Sequence, residues 1–169
     1  MNQELLKEAA SALELKSVFL SNSSSHINKG LGPDIDNIDF HEWYLDKPLD
    51  ITFFHKKESE DNVSEEEKKQ ILRFSYRFGL RLYIESPEED ELNVEEEHHI
   101  KPDVEIVADF NLDYWVKESI EQPSEEAIKE FMVHNVPYHA WTYWREYVSN
   151  ITGRIGIKPI FIPMRNHSD

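Results

Sequence analysis

The chain has 169 residues, the size of one domain with a core of its own, and a formal charge of -16 from 34 acids against 18 bases. That charge repels phosphate backbones, so no nucleic-acid binding is expected, and the absence of cysteine excludes disulfides, thiolate catalysis and Cys-ligated zinc. No stretch approaches the ~18 apolar residues of a membrane span, and the opening MNQELLKEAASALELK lacks the basic end and apolar run of a secretory signal, so the expectation is a cytoplasmic protein with no membrane insertion.

In chain order, Leu5, Leu6, Ala9, Ala10 and Leu13 recur at helical spacing after Asn2, a good N-cap, and predict a short helix over 3–13. LKSVFLSNSSSHIN then reads as a strand dissolving into polar residues. Residues 29–48, with Gly30, Gly32, Pro33 and Pro48, read as a long irregular crossing holding a short strand at DNIDFHEWYL, and LDITFFHK starts another strand. Two acidic runs, about residues 57–69 and 86–102, read as solvated loops, or as an electrostatic surface for a basic partner.

The clearest pattern lies in ILRFSYRFGLRLYI. Leu72, Phe74, Tyr76, Phe78, Leu80 and Leu82 alternate there with Arg73, Ser75, Arg77, Gly79 and Arg81. DVEIVADFNLDYWV repeats it, with Val104, Ile106, Ala108, Phe110, Leu112 and Tyr114 against Glu105, Asp109 and Asp113. One antiparallel register satisfies both: Arg73 faces Asp113, Arg77 faces Asp109 and Arg81 faces Glu105, while Phe74 meets Leu112 and Tyr76 meets Phe110. Each opposite-charge pair contributes roughly 0.2–1 kcal/mol, so charge and apolar patterns agree on one hairpin. A sheet with one polar and one apolar face needs a cover, and antiparallel sheets of this kind are commonly covered by helices on one side.

Ser124 with Glu125 and Glu126 begins a short helix through about Val133, and Pro137 suits the first turn of a longer one that Gly156 and Pro159 stop. On it Trp141, Trp144, Val148, Ile151 and Ile155 form an apolar stripe flanked by Ala140, Tyr143 and Tyr147. The opposite arc holds Thr142, Arg145, Ser149 and Thr152. An apolar arc this wide suggests that a second subunit covers part of it.

Sites for chemistry are sparse. His98 and His99 stand among acids, but no second ligand cluster is spaced to close a metal shell, and His134 and His139 share no helical face. The serines of SNSSSH, beside His26, have no strand-turn-helix elbow, and with five glycines in the chain there is no phosphate-cradling loop. No catalytic residue, metal or cofactor is assigned, and the chain reads as a non-enzyme with an interaction surface.

VPYHAWTYWREYVSNITGRIGIKPIFIP resembles the end of the SecB protein-export chaperones: a Pro-led aromatic stretch, Tyr-x-Arg-Glu, a helix, an Arg-Gly turn and a Pro-containing extended tail. Pro137, Tyr143, Arg145, Glu146, Arg154 and Pro163 carry the match. The resemblance implies an α+β fold with a four-stranded antiparallel sheet, helices on one face, a long C-terminal helix, and a homotetramer built as a dimer of dimers. It also implies ATP-independent holding of unfolded polypeptide, with Phe40, Trp43, Tyr44, Tyr138 and Trp141 in the client groove and Trp144, Val148 and Ile151 in the core or the oligomer seam. Family members dock the SecA motor ATPase through an acidic sheet face and a further C-terminal helix and tail. Here Arg73, Arg77 and Arg81 interrupt that face and the chain stops at MRNHSD. Those departures point from SecA and general export towards the SecB-like chaperones of toxin-antitoxin systems, whose client is an antitoxin. A non-chaperone oligomeric adaptor for one folded partner is the alternative.

Overall fold

The protein is seen in a computed structural model that describes residues 1–28, 31, 38–54, 70–85, 101–117 and 122–165. Most of both acidic runs, with His98 and His99, lies outside the described residues.

The two alternating segments become the centre of a four-stranded antiparallel sheet. In chain order the elements are α1 (Gln3–Ala12), β1 (Leu13–Ile27), β2 (His41–Phe54), β3 (Ile71–Tyr83), β4 (Val104–Val116), α2 (Glu125–His134) and α3 (Val136–Arg154), with strand order β1-β4-β3-β2. The β3–β4 register is the one the charges demanded: Arg73 pairs with Asp113, Arg77 with Asp109 and Arg81 with Glu105. Period-two alternation puts Phe74, Tyr76, Phe78, Ile106, Leu112 and Tyr114 on one face, where all are buried.

Both shorter helices start as their caps dictate. The Asn2 carboxamide accepts from the amides of Glu4 and Leu5, and the Ser124 hydroxyl accepts from Ala127. Phe131 of α2 sits in a ring cluster with Phe74 and Tyr114, at centroid distances of 5.8 and 5.3 Å, and α1 packs on α2. Trp144 of α3 stacks on Phe78 at 5.7 Å and is 1% exposed. Trp144 and Val148 are thus enclosed within a single chain, whereas Ile151 is half-buried.

Two expectations are corrected. β1 does not dissolve at SNSSSH but runs to Ile27, because its ladder to β4 needs only backbone groups and Ser21 Oγ donates to the Asp109 carbonyl at 3.0 Å. The short strand expected within DNIDFHEWYL and the strand expected from Leu49 are not separated by a break at Pro48; His41–Phe54 form one strand through it. A proline is tolerated there because β2 is an edge strand and its register slips between Pro48 and Asp50. The arc of α3 opposite its apolar stripe is not bare. Thr152 is fully buried, and the chain beyond α3 lies along that side.

That return begins at Gly156, whose φ of +84° is the left-handed conformation that ends helices. The Ile157 amide then donates to the Thr152 carbonyl at 3.2 Å, closing the last turn, and Ile157 is buried.

Candidate functional site

The two faces of the sheet differ in chemistry. On the face away from α2 and α3, Arg73 and Arg77 each grip a carboxylate with two hydrogen bonds, at 2.6 and 2.9 Å to Asp113 and at 2.6 and 2.8 Å to Asp109, and Arg81 reaches Glu105 at 2.8 Å. The Arg73 guanidinium also lies between the rings of Phe19 and Phe54, at 4.9 and 4.8 Å. The Arg77 hydrogen bond is the main reason the Asp109 carboxyl is held below the usual carboxylate range. Every arginine on this face is therefore already neutralised by β4.

On the helix side, two grooves flank α3. One, against β1, holds a cavity of about 420 Å³ lined by Val18, Leu20, Tyr143, Tyr147 and Ile151. The other, against β2, takes in three of the five residues that the SecB resemblance assigns to a client groove, Phe40, Tyr44 and Trp141. Tyr44, Trp141 and Trp144 line a cavity of about 300 Å³ there, with Pro163 and Arg165. Phe40 lines a neighbouring one of about 260 Å³, with Ile160 and Phe161.

The structure brings together Phe40, Tyr44 and Trp141 along this second groove. Trp43 faces the other way: it pairs with Arg81, and alternation sends its side chain to the arginine face, 42% exposed. Tyr138 stands one turn before Trp141, 38% exposed, with its ring against His139.

The groove is aromatic and stays uncharged at its rings. Burial, followed by its hydrogen bond to Glu42, raises the Tyr44 phenol well above its ordinary value, so near neutrality it remains a donor. Burial also pushes Tyr76 up to about 12, with the negative charge of Asp46 adding to the effect. His139 meets the buried Tyr114 hydroxyl at 2.7 Å and so serves the core. Among the described residues no group of three or more histidines and carboxylates could hold a metal ion, and no helix is long and apolar enough to cross a membrane.

Sequence reasoning missed what fills the groove. Residues 157–165 run back beside α3: the Ile160 amide donates to Thr152 Oγ1 at 3.2 Å, Arg145 Nε donates to the Ile162 carbonyl at 2.6 Å, and Trp141 Nε1 donates to the Pro163 carbonyl at 2.8 Å. Arg165 pairs with Asp46 of β2 at 2.6 Å, its guanidinium 5.4 Å from the Trp141 ring. The available signal was IKPIFIP itself, whose apolar residues suit one side of an extended segment, together with Arg145 on the arc of α3 opposite the apolar stripe.

Against known proteins, no family model and no curated sequence matches the chain. Among solved structures it matches the SecB-like chaperone Rv1957 of Mycobacterium tuberculosis, determined in complex with a ChAD peptide from the HigA1 antitoxin Rv1956. The TM-score is 0.67 over 96% of this chain and 98% of that one, at 12% sequence identity. The fold is therefore that of a SecB-like chaperone: a four-stranded antiparallel sheet carrying helices, the last of them long.

Proposed function

We propose that this chain is an ATP-independent holdase that keeps unfolded or aggregation-prone polypeptide from aggregating. The observation that carries the reading is the aromatic groove between α3 and β2, on a SecB-like fold, with an extended stretch of polypeptide lying in it. Flat rings such as Tyr44 and Trp141 can accept varied apolar side chains, and indole and guanidinium donors can satisfy main-chain carbonyls whatever the sequence.

Two features favour a dedicated client over general export. The similar chaperone holds an antitoxin peptide. The sheet face that would meet SecA carries three arginines locked in ion pairs, a poor match for a docking site that relies on acidity. We therefore favour an antitoxin client in the cytoplasm over a preprotein destined for SecA. Assembly as a homotetramer, a dimer of dimers, is part of the proposal: among the described residues β1 and β2 are the edge strands of the sheet, and Tyr143 remains 44% exposed on α3.

Light scattering by chemically unfolded citrate synthase, diluted into buffer without ATP, tests the reading. The protein is expected to suppress scattering at stoichiometric ratios. Unchanged scattering, with tight binding to a folded partner instead, would favour the adaptor.

A further inference from the structure

The residues that hold 157–165 do so in an unusual way. Among the described residues, beyond Ile157 this segment joins no strand ladder; its main chain is held by side chains, through Thr152 Oγ1, Arg145 Nε and Trp141 Nε1. Only Ile162, 1% exposed, is deeply inserted after Ile157, while Phe161 and Met164 remain 80% and 67% exposed. A segment serving only as a core element would be expected to bury its largest apolar side chains. This one shows them to solvent and is gripped by its carbonyls.

We propose that residues 160–165 are a resident occupant of the polypeptide groove, and that a client binds by displacing them. The inference rests on the holdase reading above. Trp141 and Arg145 present donors spaced for two successive carbonyls, those of Ile162 and Pro163, and the cavities beside Tyr44 and Phe40 have the segment's own Pro163, Arg165, Ile160 and Phe161 as walls. An incoming extended chain would find its sites taken by these atoms. Because the contacts read main chain, the same donors can pass from the segment to a client with no change in chemistry. The salt bridge from Arg165 to Asp46 acts as the latch on β2. Closing an empty groove this way also keeps Trp141 and Tyr44 from offering a bare apolar surface.

Competition of this kind lowers apparent affinity by the fraction of molecules in which the groove is open. The test is anisotropy of labelled, reduced and carboxymethylated α-lactalbumin, a permanently unfolded probe, with two variants. Ile162→Asp puts a charge where the segment inserts and should release it. Asp46→Cys with Arg165→Cys supplies two thiols in a chain that has no others, and a short bis-maleimide then ties the segment down. Release should tighten probe binding by about ten-fold or more; the tied protein should lose binding relative to the same variant left untied. Probe affinity that is unchanged by both release and tying overturns the inference while leaving the holdase reading intact. Failure of wild type, released and untied proteins alike to bind the probe defeats the holdase reading itself. Should Ile162→Asp fail to unfold cooperatively, the tied and untied pair still decides.

Discussion

Removing the two members of the Arg77–Asp109 pair should have unequal consequences. Arg77 donates twice to Asp109, at 2.6 and 2.8 Å, but its side chain is 39% exposed, against 11% for the carboxylate. Arg77→Ala strands a poorly solvated carboxylate, left with a long contact from Asn22 Nδ2, at 3.4 Å, and the more distant charge of Lys47 in place of the guanidinium. That should cost about 1–3 kcal/mol. Asp109→Ala leaves a guanidinium that can turn to water, and about 0–1 kcal/mol is expected.

The pH dependence follows from the depressed carboxyl. Since folding holds Asp109 below its ordinary value, the pair stabilises the fold fully above that value, near about 3.9. The contribution is lost as pH falls through the lower folded value. The deficit of Arg77→Ala should accordingly be largest near neutrality and shrink below about pH 4. Urea unfolding of both variants and the double variant, at neutral pH and near pH 3, measures all of this. Equal losses for the two single variants, or a deficit of Arg77→Ala that is independent of pH, would refute the reasoning.

Three further outcomes are expected. Trp144→Ala, which removes a ring stacked on Phe78 and sealed from solvent, should cost about 3–5 kcal/mol in denaturant unfolding, and a loss under about 1 kcal/mol would contradict its place in the core. Gly156→Ala meets no atom within 4 Å, so any loss must come from its φ of +84°; about 1–2 kcal/mol is expected, read from the unfolding midpoint. Ser124→Ala should cost about 1 kcal/mol through the lost cap on α2, with amide exchange rising at Ala127.

The central hairpin was legible because two independent patterns had to agree. Once Arg73, Arg77 and Arg81 are set against Asp113, Asp109 and Glu105, the apolar faces align without adjustment, and a slip by one residue would bury the arginines. The edge strands were not legible in the same way. The polar half of β1 has no alternation because its side chains stay exposed on both faces, and Pro48 reads as a break unless the strand is known to be at an edge. For the groove, the aromatic residues stood out by type, but facing was decided by β2 becoming a strand: adjacent Trp43 and Tyr44 are then sent to opposite sides of the sheet. The partners of Arg145 and Thr152 were not legible because helical periodicity reports only on the helix, and those partners lie 17 and 8 residues further along the chain.

Site-specific photocrosslinking tests the holdase account most directly. A photoreactive phenylalanine is placed in turn at Tyr44, Trp141 and Trp43, and each protein is irradiated with an unfolded client. The account predicts client adducts from positions 44 and 141, beside α3, and few from position 43 on the arginine face. Adducts concentrated at position 43, or none at any position while client remains bound, would contradict it.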